Sequence, residues 1–453
     1  MSKKVLIIGA IVVAVIAALP FFGNMSVEKM IGERIAMLNE NGVKVESRDN
    51  GSNYLTTNTH YEFTLADQAA FQNYLNTLSD AQIPSYVQAM LDDVVMAVDI
   101  SYSNLLFNDD VAIDLYPVAL SKEAGERMKA EDGMLYDQMQ QMLENREFIY
   151  HMEYNAANAS FKGNIKDIER EIAFQDGKKA KIVFDTATFD GKGSLMEPES
   201  VHFRVKRADV DFSLPEEATM RLAINGLESQ SSFSAKNSFD LLYKAEKIHF
   251  LFADKENRMA IEGSQMEAVS DSKVKEGKIE TKINAAIKEF SMTDNNGSIQ
   301  LQNLTFIMDA DNIDEAAYEA FQKASEQAGA SSQYTMLASL GVVSKGFDLH
   351  VKRFSVEKIA IKDSALMNGF DHTADLSIKA DESLIQKMQI TPMALMQNID
   401  INARLQFASD FYAFIKKQGN MGMVDGFAKQ EGQNIVFDVV LRDGRLQVNG
   451  QSL

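Results

Sequence analysis

The 453-residue chain contains no cysteine, so nucleophilic and metal-binding chemistry would fall to histidine, carboxylate and hydroxyl side chains. Two His-x-acid pairs stand out, His60-Tyr61-Glu62 and His151-Met152-Glu153. Positions two apart share one face of a strand, so each pair could offer two ligands to Zn²⁺ or a similar cation. Both pairs alternate with apolar Tyr61, Phe63, Met152 and Tyr154, which assigns the His and Glu to a solvated face, and no third ligand is indicated. His202, His249 and His350 alternate with apolar neighbours in the same way and read as exposed.

Asp309, Asp311, Asn312 and Asp314 gather the oxygen side chains that Ca²⁺ takes. An EF-hand loop needs an oxygen at its fifth position and Gly at its sixth, where this chain has Ile313 and Asp314. The cluster reads instead as the start of a helix, where acids satisfy free N–H groups and complement the macrodipole. Asp109-Asp110 reads as a turn, because nothing nearby would raise one carboxyl pKa for acid–base work. No G-x-S-x-G elbow, G-x-x-x-x-G-K-[ST] loop or H-E-x-x-H helix occurs. These residues point to no catalytic group, no metal and no cofactor. The chain reads as non-enzymatic.

The elements that would position such groups follow from composition and period. With 45% apolar and 24% charged residues, 25 Gly and 6 Pro, the chain can bury a core and is neither collagenous nor disordered. Its net charge of −20 opposes binding to a phosphate backbone. The densest basic stretch, Arg204 to Arg207, alternates Arg204 and Lys206 with Phe203 and Val205, the pattern of a strand's polar face. No nucleic-acid partner is expected.

Lys3 and Lys4 precede an uncharged apolar run, Val5 to Phe22, which as a helix reaches about 27 Å, close to the hydrocarbon core of a bilayer. The flanking charges orient it with the N-terminus in the cytoplasm and the body exported. The run ends Leu19-Pro20-Phe21-Phe22-Gly23-Asn24, without the small residues a signal peptidase requires, so it reads as an uncleaved anchor. Residues 1–23 are thus the expected membrane anchor. Residues 24–42 follow as a juxtamembrane amphipathic helix, with Val27, Met30, Ile31, Ile35 and Leu38 at helical spacing and Asn41-Gly42 as its stop.

In residues 43–453 the dominant apolar period is two. Val201, Phe203 and Val205 give way to Ala208, Val210 and Phe212, one step out of phase, which reads as a β-bulge near Lys206 or Arg207. Phe347, Leu349 and Val351, then Phe354 and Val356, then Ile359 and Ile361 slip twice; Ile299 and Leu301, then Leu304, Phe306 and Met308, slip once. Asn295-Asn296-Gly297 and Asp443-Gly444 join strands as tight turns. Helices are expected at Ser121 to Asn145, interrupted near Asp132-Gly133, and at Ile313 to Ala328 behind Asn312. Shorter ones are expected at Ala66 to Leu78, Ser383 to Met388 and Ser409 to Lys417.

The expected fold class is α+β and β-rich: a long twisted antiparallel sheet with bulges, partly covered by amphipathic helices, after a single N-terminal transmembrane helix. Sub-unit boundaries are expected near 190 and 345. The 24 Met and 27 Phe mostly fill a core. The alternative is a groove, lined by Phe347, Leu349, Val351, Met128 and Met139, that takes an acyl chain or a partner segment.

Three blocks also carry a resemblance. Near the start, Arg48 and Gly51 are followed by Tyr54-Leu55 and Thr56-Thr57, leading into Tyr61, Phe63 and Leu65. In the middle, Gly297-Ser298-Ile299-Gln300-Leu301 precedes a strand to Asp309 and a helix bearing Tyr318 and Phe321. At the end stands Asp443-Gly444-Arg445-Leu446-Gln447-Val448-Asn449-Gly450. Spread over nearly the whole length, these blocks resemble the YdgA-like family of Gram-negative envelope proteins, a family without an established biochemical role. The resemblance implies an inner-membrane anchor and a periplasmic body, and it transfers no catalytic residue. The function expected is envelope maintenance by binding a lipid or other hydrophobic ligand, with a sealed scaffold for envelope proteins as the alternative and a hydrolase last.

Overall fold

The computed structural model describes residues 35–452, apart from 53–55, 68, 72, 75–93, 104–109, 156, 194–197, 214–217, 236, 329–332, 363, 385, 388–393 and 420–423. The expected anchor at 1–23 and residues 24–34 lie outside the described residues. Among those described, no helix is long and apolar enough to cross a membrane. The chain is β-rich, with long antiparallel strands and few helices, and divides into two compact units, the first ending at Gln230 and the second beginning at Ser231. The sequence also suggests soft boundaries near 190 and 345. Asp190 lies inside a continuous strand, and Lys345 joins a helix to a strand of one unit.

The first unit contains β1 (Val43–Ser52), β2 (Thr56–Leu65), β3 (Val95–Ser103), β4 (Asp110–Ala119), β5 (Tyr150–Asn155), β6 (Ser160–Ile165), β7 (Ile168–Ala173), β8 (Lys179–Gly193) and β9 (Pro198–Ser213), and the division falls within β10 (Thr219–Ala235). Strands β1 to β6 pair antiparallel in sequence order. Strands β6 and β7 then lie end to end along β8, which pairs β9. Alternation places Val98, Ile100, Ile113, Leu115 and Met152 in one buried cluster, with Leu38 of the helical segment 35–40 and with Phe71 and Tyr74. Each fully buried side chain of this size contributes about 1.5–3 kcal/mol. Residues 35–40, the described end of the segment expected as a juxtamembrane helix, are packed on this cluster.

The segment expected at Ser121 to Asn145 forms two helices, α1 (Lys122–Glu131) and α2 (Gly133–Glu144). Asp132 adopts an extended backbone that stops the first, and its carboxylate caps the second by accepting from the Leu135 N–H at 2.9 Å. Helix α2 lays Leu135, Met139 and Met142 against Ile168, Ile172 and Ala180. Its Gln138 side chain acts as a neighbouring strand for β7, donating to the Ala173 carbonyl at 2.7 Å and accepting from the Ala173 N–H at 3.0 Å. At Ala173 the backbone groups of this edge are thereby occupied.

The second unit holds β11 (Ser238–Ala253), β12 (Arg258–Lys275), β13 (Lys278–Asp294), β14 (Gly297–Asp314), β15 (Phe347–Ile361), β16 (Met367–Ile378), β17 (Ile399–Ala408), β18 (Lys429–Glu431), β19 (Asn434–Arg442), β20 (Arg445–Val448) and β21 (Gln451–Ser452). Strands β11 to β17 pair antiparallel in order, β19 joins β17, and β18 and β20 share its other edge. The Asp443-Gly444 hairpin forms as expected, with both residues at positive φ, 49° and 72°. The unit also holds helices α3 (Glu315–Ala328), α4 (Gln333–Ser344) and α5 (Ser409–Lys417), besides short turns of helix at Ala394–Gln397 and Asp425–Phe427.

Two expectations need correction. Helix α3 does not begin behind Asn312: β14 continues to Asp314 because Ile313 pairs with buried Ile279, and the cap is Asp314, accepting from the Ala317 N–H at 3.1 Å. The slip near Lys206 inserts no residue. Phe184 pairs Ala208 and Ala187 pairs Val205 in one unshifted register, while Thr186 takes a left-handed φ of 49°. Both strands change phase at the same level, so the apolar side is kept without a bulge.

Candidate functional site

The strands of the second unit align their apolar positions into rows that cross the sheet. One row runs Leu241, Ser270, Ile283, Met308, Val351, Ala374, Ala403 and Val439, each directly opposite the next. Rows on either side contain Leu349 with Ala310 and Leu376, and Tyr243 with Ala268, Ala285, Phe306 and Phe354. Rows form because period-two alternation in each strand matches that of its neighbours, with one register shift in β15 between Val351 and Phe354 restoring the match there. Expected site residues Phe347, Leu349 and Val351 all lie on this face and are half-buried.

A line of phase breaks keeps the face continuous. Between Ala245 and Lys247, and at the corresponding levels of β12, β13 and β14, the pairing skips Glu246, Gln265, Lys288 and Asn303 without shifting register. Gln265 and Asn303 take left-handed φ values of 46° and 53°. On the far side the apolar phase is reversed in sequence, with Ile248, Phe290 and Leu301 in place of the opposite parity. Leu301 and Leu304 nevertheless pack in one cluster, as do Val356 and Ile359, so the side chains return to the same side. Asn303 donates to Glu357 across the line, and at the same level Asn303, Arg353, Glu357, Asn368, Asp371 and Gln406 line a cleft of about 420 Å³.

One end of this face is closed. Phe411 of α5 is buried against Val356 and Ile359, and Tyr412 against Phe437 and Val448. His372 sits within this aromatic group, stacked on Phe370 at 4.6 Å and edge-on to Phe407 at 4.8 Å between ring centroids. Burial holds its pKa below the ordinary imidazole value. Burial, together with donation to Asp425, pushes the Tyr412 hydroxyl up to about 12. Toward β11 to β13 the face is different. On these strands Ala245 and Ile279 are buried, but Tyr243 of β11 remains 47% exposed, as do Ile299 of β14 at 41% and Phe354 of β15 at 38%.

Comparison with known protein families, curated proteins and solved structures gives no match.

The other expected residues are placed differently. Met139 is engaged in the core beneath α2, and Met128 is half-buried on α1; both belong to the first unit. The histidines expected on a solvated face are only partly exposed, and each meets a carboxylate. His60 bonds Asp99, His151 bonds Asp114 at 2.6 Å, His202 bonds Glu228 at 2.7 Å, His249 bonds Glu262 at 2.8 Å and His350 bonds Asp375 at 2.7 Å. Four of these pairs are direct cross-strand neighbours, a relation that spacing along the chain does not display.

Asp99 also accepts from the Tyr116 hydroxyl at 2.9 Å and from Arg146 at 2.9 Å besides meeting His60. Arg146 also covers the Tyr116 ring, 4.1 Å from its centroid. Burial and the Asp99 carboxylate hold the Tyr116 hydroxyl protonated far above the ordinary phenol range. Asp99 and Asp114 stand opposite each other, and like charges in that position are destabilising unless countered. Arg146 counters the charge of Asp99, and each carboxylate is hydrogen-bonded to a histidine, which makes the group a structural polar ladder.

Among the described residues no group of three His, Asp or Glu side chains could hold a metal ion. The Asp309 to Asp314 cluster is dispersed: Asp311 faces His350 at 3.8 Å, Asn312 donates to Asp348 at 2.6 Å and Asp314 meets Lys278 at 3.3 Å. Asp110 opens β4 and accepts from Asn155 at 2.6 Å; Asp109 lies outside the described residues.

Proposed function

We propose that this chain is a membrane-tethered, non-enzymatic envelope protein whose second unit binds an acyl chain along its apolar sheet face. The observation that carries the reading is the exposure of Tyr243, Ile299 and Phe354 on a face whose apolar rows cross from β11 to β16. Large exposed apolar patches on a chain of this net charge mark contact with an apolar partner. The face is a surface of rows rather than a closed pocket, suited to an extended ligand that gains about 0.8 kcal/mol per buried CH₂.

The placement in the inner membrane, with the N-terminus in the cytoplasm and the body in the periplasm, rests on the uncharged run Val5 to Phe22 behind Lys3 and Lys4. Membership of the YdgA-like family rests on the three quoted sequence blocks. A second reading, a sealed scaffold for envelope proteins, is favoured at the β16, β17 and β19 end, where α5 closes the face.

Photo-crosslinking distinguishes them. A fatty acid bearing a diazirine is added to the full chain in membranes, and labelled peptides are identified by mass spectrometry. Labels on β11 to β15 peptides support the acyl-binding reading; labels confined to residues 5–22 contradict it.

A further inference from the structure

Helix α4 turns apolar side chains outward. Tyr334 is 77% exposed, Met336 58% and Leu337 46%. Thr335 between them is buried, and its hydroxyl donates to the Ala324 carbonyl of α3 at 3.2 Å, so the helix is held to its neighbour by its other side. From Gln327 to Ser344 the sequence carries no charged residue, in a chain with 65 acids and 45 bases.

A helix of 12 residues is about 18 Å long, well short of the roughly 30 Å needed to cross a hydrocarbon core. Uncharged, apolar and bearing a tyrosine, it suits the boundary between headgroups and acyl chains, where Tyr is enriched. The occupant is indicated by the chain itself. Val5 to Phe22, outside the described residues, is long and apolar enough to lie in a bilayer. Such a tether holds the rest of the chain near the same surface at high effective concentration, so a contact too weak to form alone becomes populated. The acidic remainder is repelled by anionic headgroups, and the uncharged stretch is where approach costs least.

We propose that α4 docks into the surface of the bilayer that holds the N-terminal run. The inference rests on the membrane-tethered reading above and adds the place where the second unit meets lipid. Lys345 and Gly346 follow α4 and lead directly to Phe347, the first residue of the apolar face. Docking there brings acyl chains to that end of the face.

The absence of Trp provides a clean reporter. The full chain carrying Tyr334→Trp is reconstituted into phosphatidylcholine vesicles and floated on a density gradient, and its fluorescence is compared in ordinary and brominated phosphatidylcholine. Leu446→Trp, on the closing hairpin, serves as the control. The expected result is co-flotation, a blue-shifted emission, and quenching by brominated lipid roughly twofold or more above the control. Failure to float overturns the tether and this inference with it. Flotation with a water-like, unquenched signal overturns the docking of α4 alone. A blue shift that follows protein density in the vesicles without bromine quenching assigns the helix to a second copy of the chain and also overturns it. The pair Met336→Asp and Leu337→Asp should abolish the quenching while leaving flotation intact.

Discussion

The Asn303 side-chain amide donates to the Glu357 carboxylate across β14 and β15, at the level where the two strands reverse the phase of their apolar residues without changing register. The left-handed backbone at Asn303, φ 53°, makes the reversal possible. Asn tolerates that region, whereas a β-branched side chain there is strained. Asn303→Val should therefore destabilise the second unit by about 1–2 kcal/mol, and Asn303→Gly by much less. Urea unfolding of the two variants checks this; equal losses would mean that the Glu357 bond, not the backbone, holds the turn of phase.

Asp99 accepts from Tyr116, Arg146 and His60 together. Asp99→Ala leaves the buried Tyr116 hydroxyl without its acceptor and should cost about 1–3 kcal/mol. Arg146 is half exposed, so Arg146→Ala should cost less, about 0.5–1 kcal/mol. Thermal or urea denaturation ranks the two. A larger loss for Arg146→Ala would reverse the assignment of Asp99 as the organising acceptor.

His372 should make the second unit acid-sensitive. Its folded pKa is lowered by burial among Phe354, Phe370 and Phe407, while the unfolded imidazole titrates near 6.5. Below that pH the unfolded chain binds a proton that the folded chain resists. The stabilisation is complete above about pH 6.5 and is lost as pH falls from there through the folded value. His372→Phe should flatten the dependence of the urea midpoint on pH between about 7 and 5. An unchanged slope would locate the sensitivity elsewhere.

Asn449 ties the closing hairpin to its surroundings. It donates to the Val436 carbonyl at 3.0 Å and to the Phe427 carbonyl, and it accepts from the Asp438 N–H at 2.8 Å, all from a left-handed φ of 50°. Asn449→Ala should cost about 2–3 kcal/mol, and Asn449→Gly slightly less because it relieves the backbone alone. Hydrogen exchange at β19 should accelerate in both; unchanged protection would show that the side chain is dispensable.

The sequence displayed the strands because apolar alternation is local, and that alternation puts Phe347, Leu349 and Val351 on one side of β15. It displayed where phase slips but not how. Only the slip between Val351 and Phe354 involves an inserted residue, seen as a register shift against β16. At Thr186 and at Asn303 both partner strands slip together, which a single strand cannot reveal. The carboxylate partners of the histidines were hidden for the same reason: Asp99 lies 39 positions from His60 and Asp375 lies 25 from His350. The packing of Met139 against Ile168 and Ile172 was not legible, because an amphipathic helix shows that it has an apolar stripe, not which surface receives it.

The central claim is that the rows around Leu349 and Val351 receive an acyl chain. Its most direct test is titration of the full chain, in vesicles, with a fluorescent polyene fatty acid, beside the double variant Leu349→Asp and Val351→Asp. Carboxylates in the path of an alkyl chain should weaken saturable binding by roughly tenfold or more. Identical titration curves for the two proteins, with circular dichroism showing the variant folded, would contradict the claim.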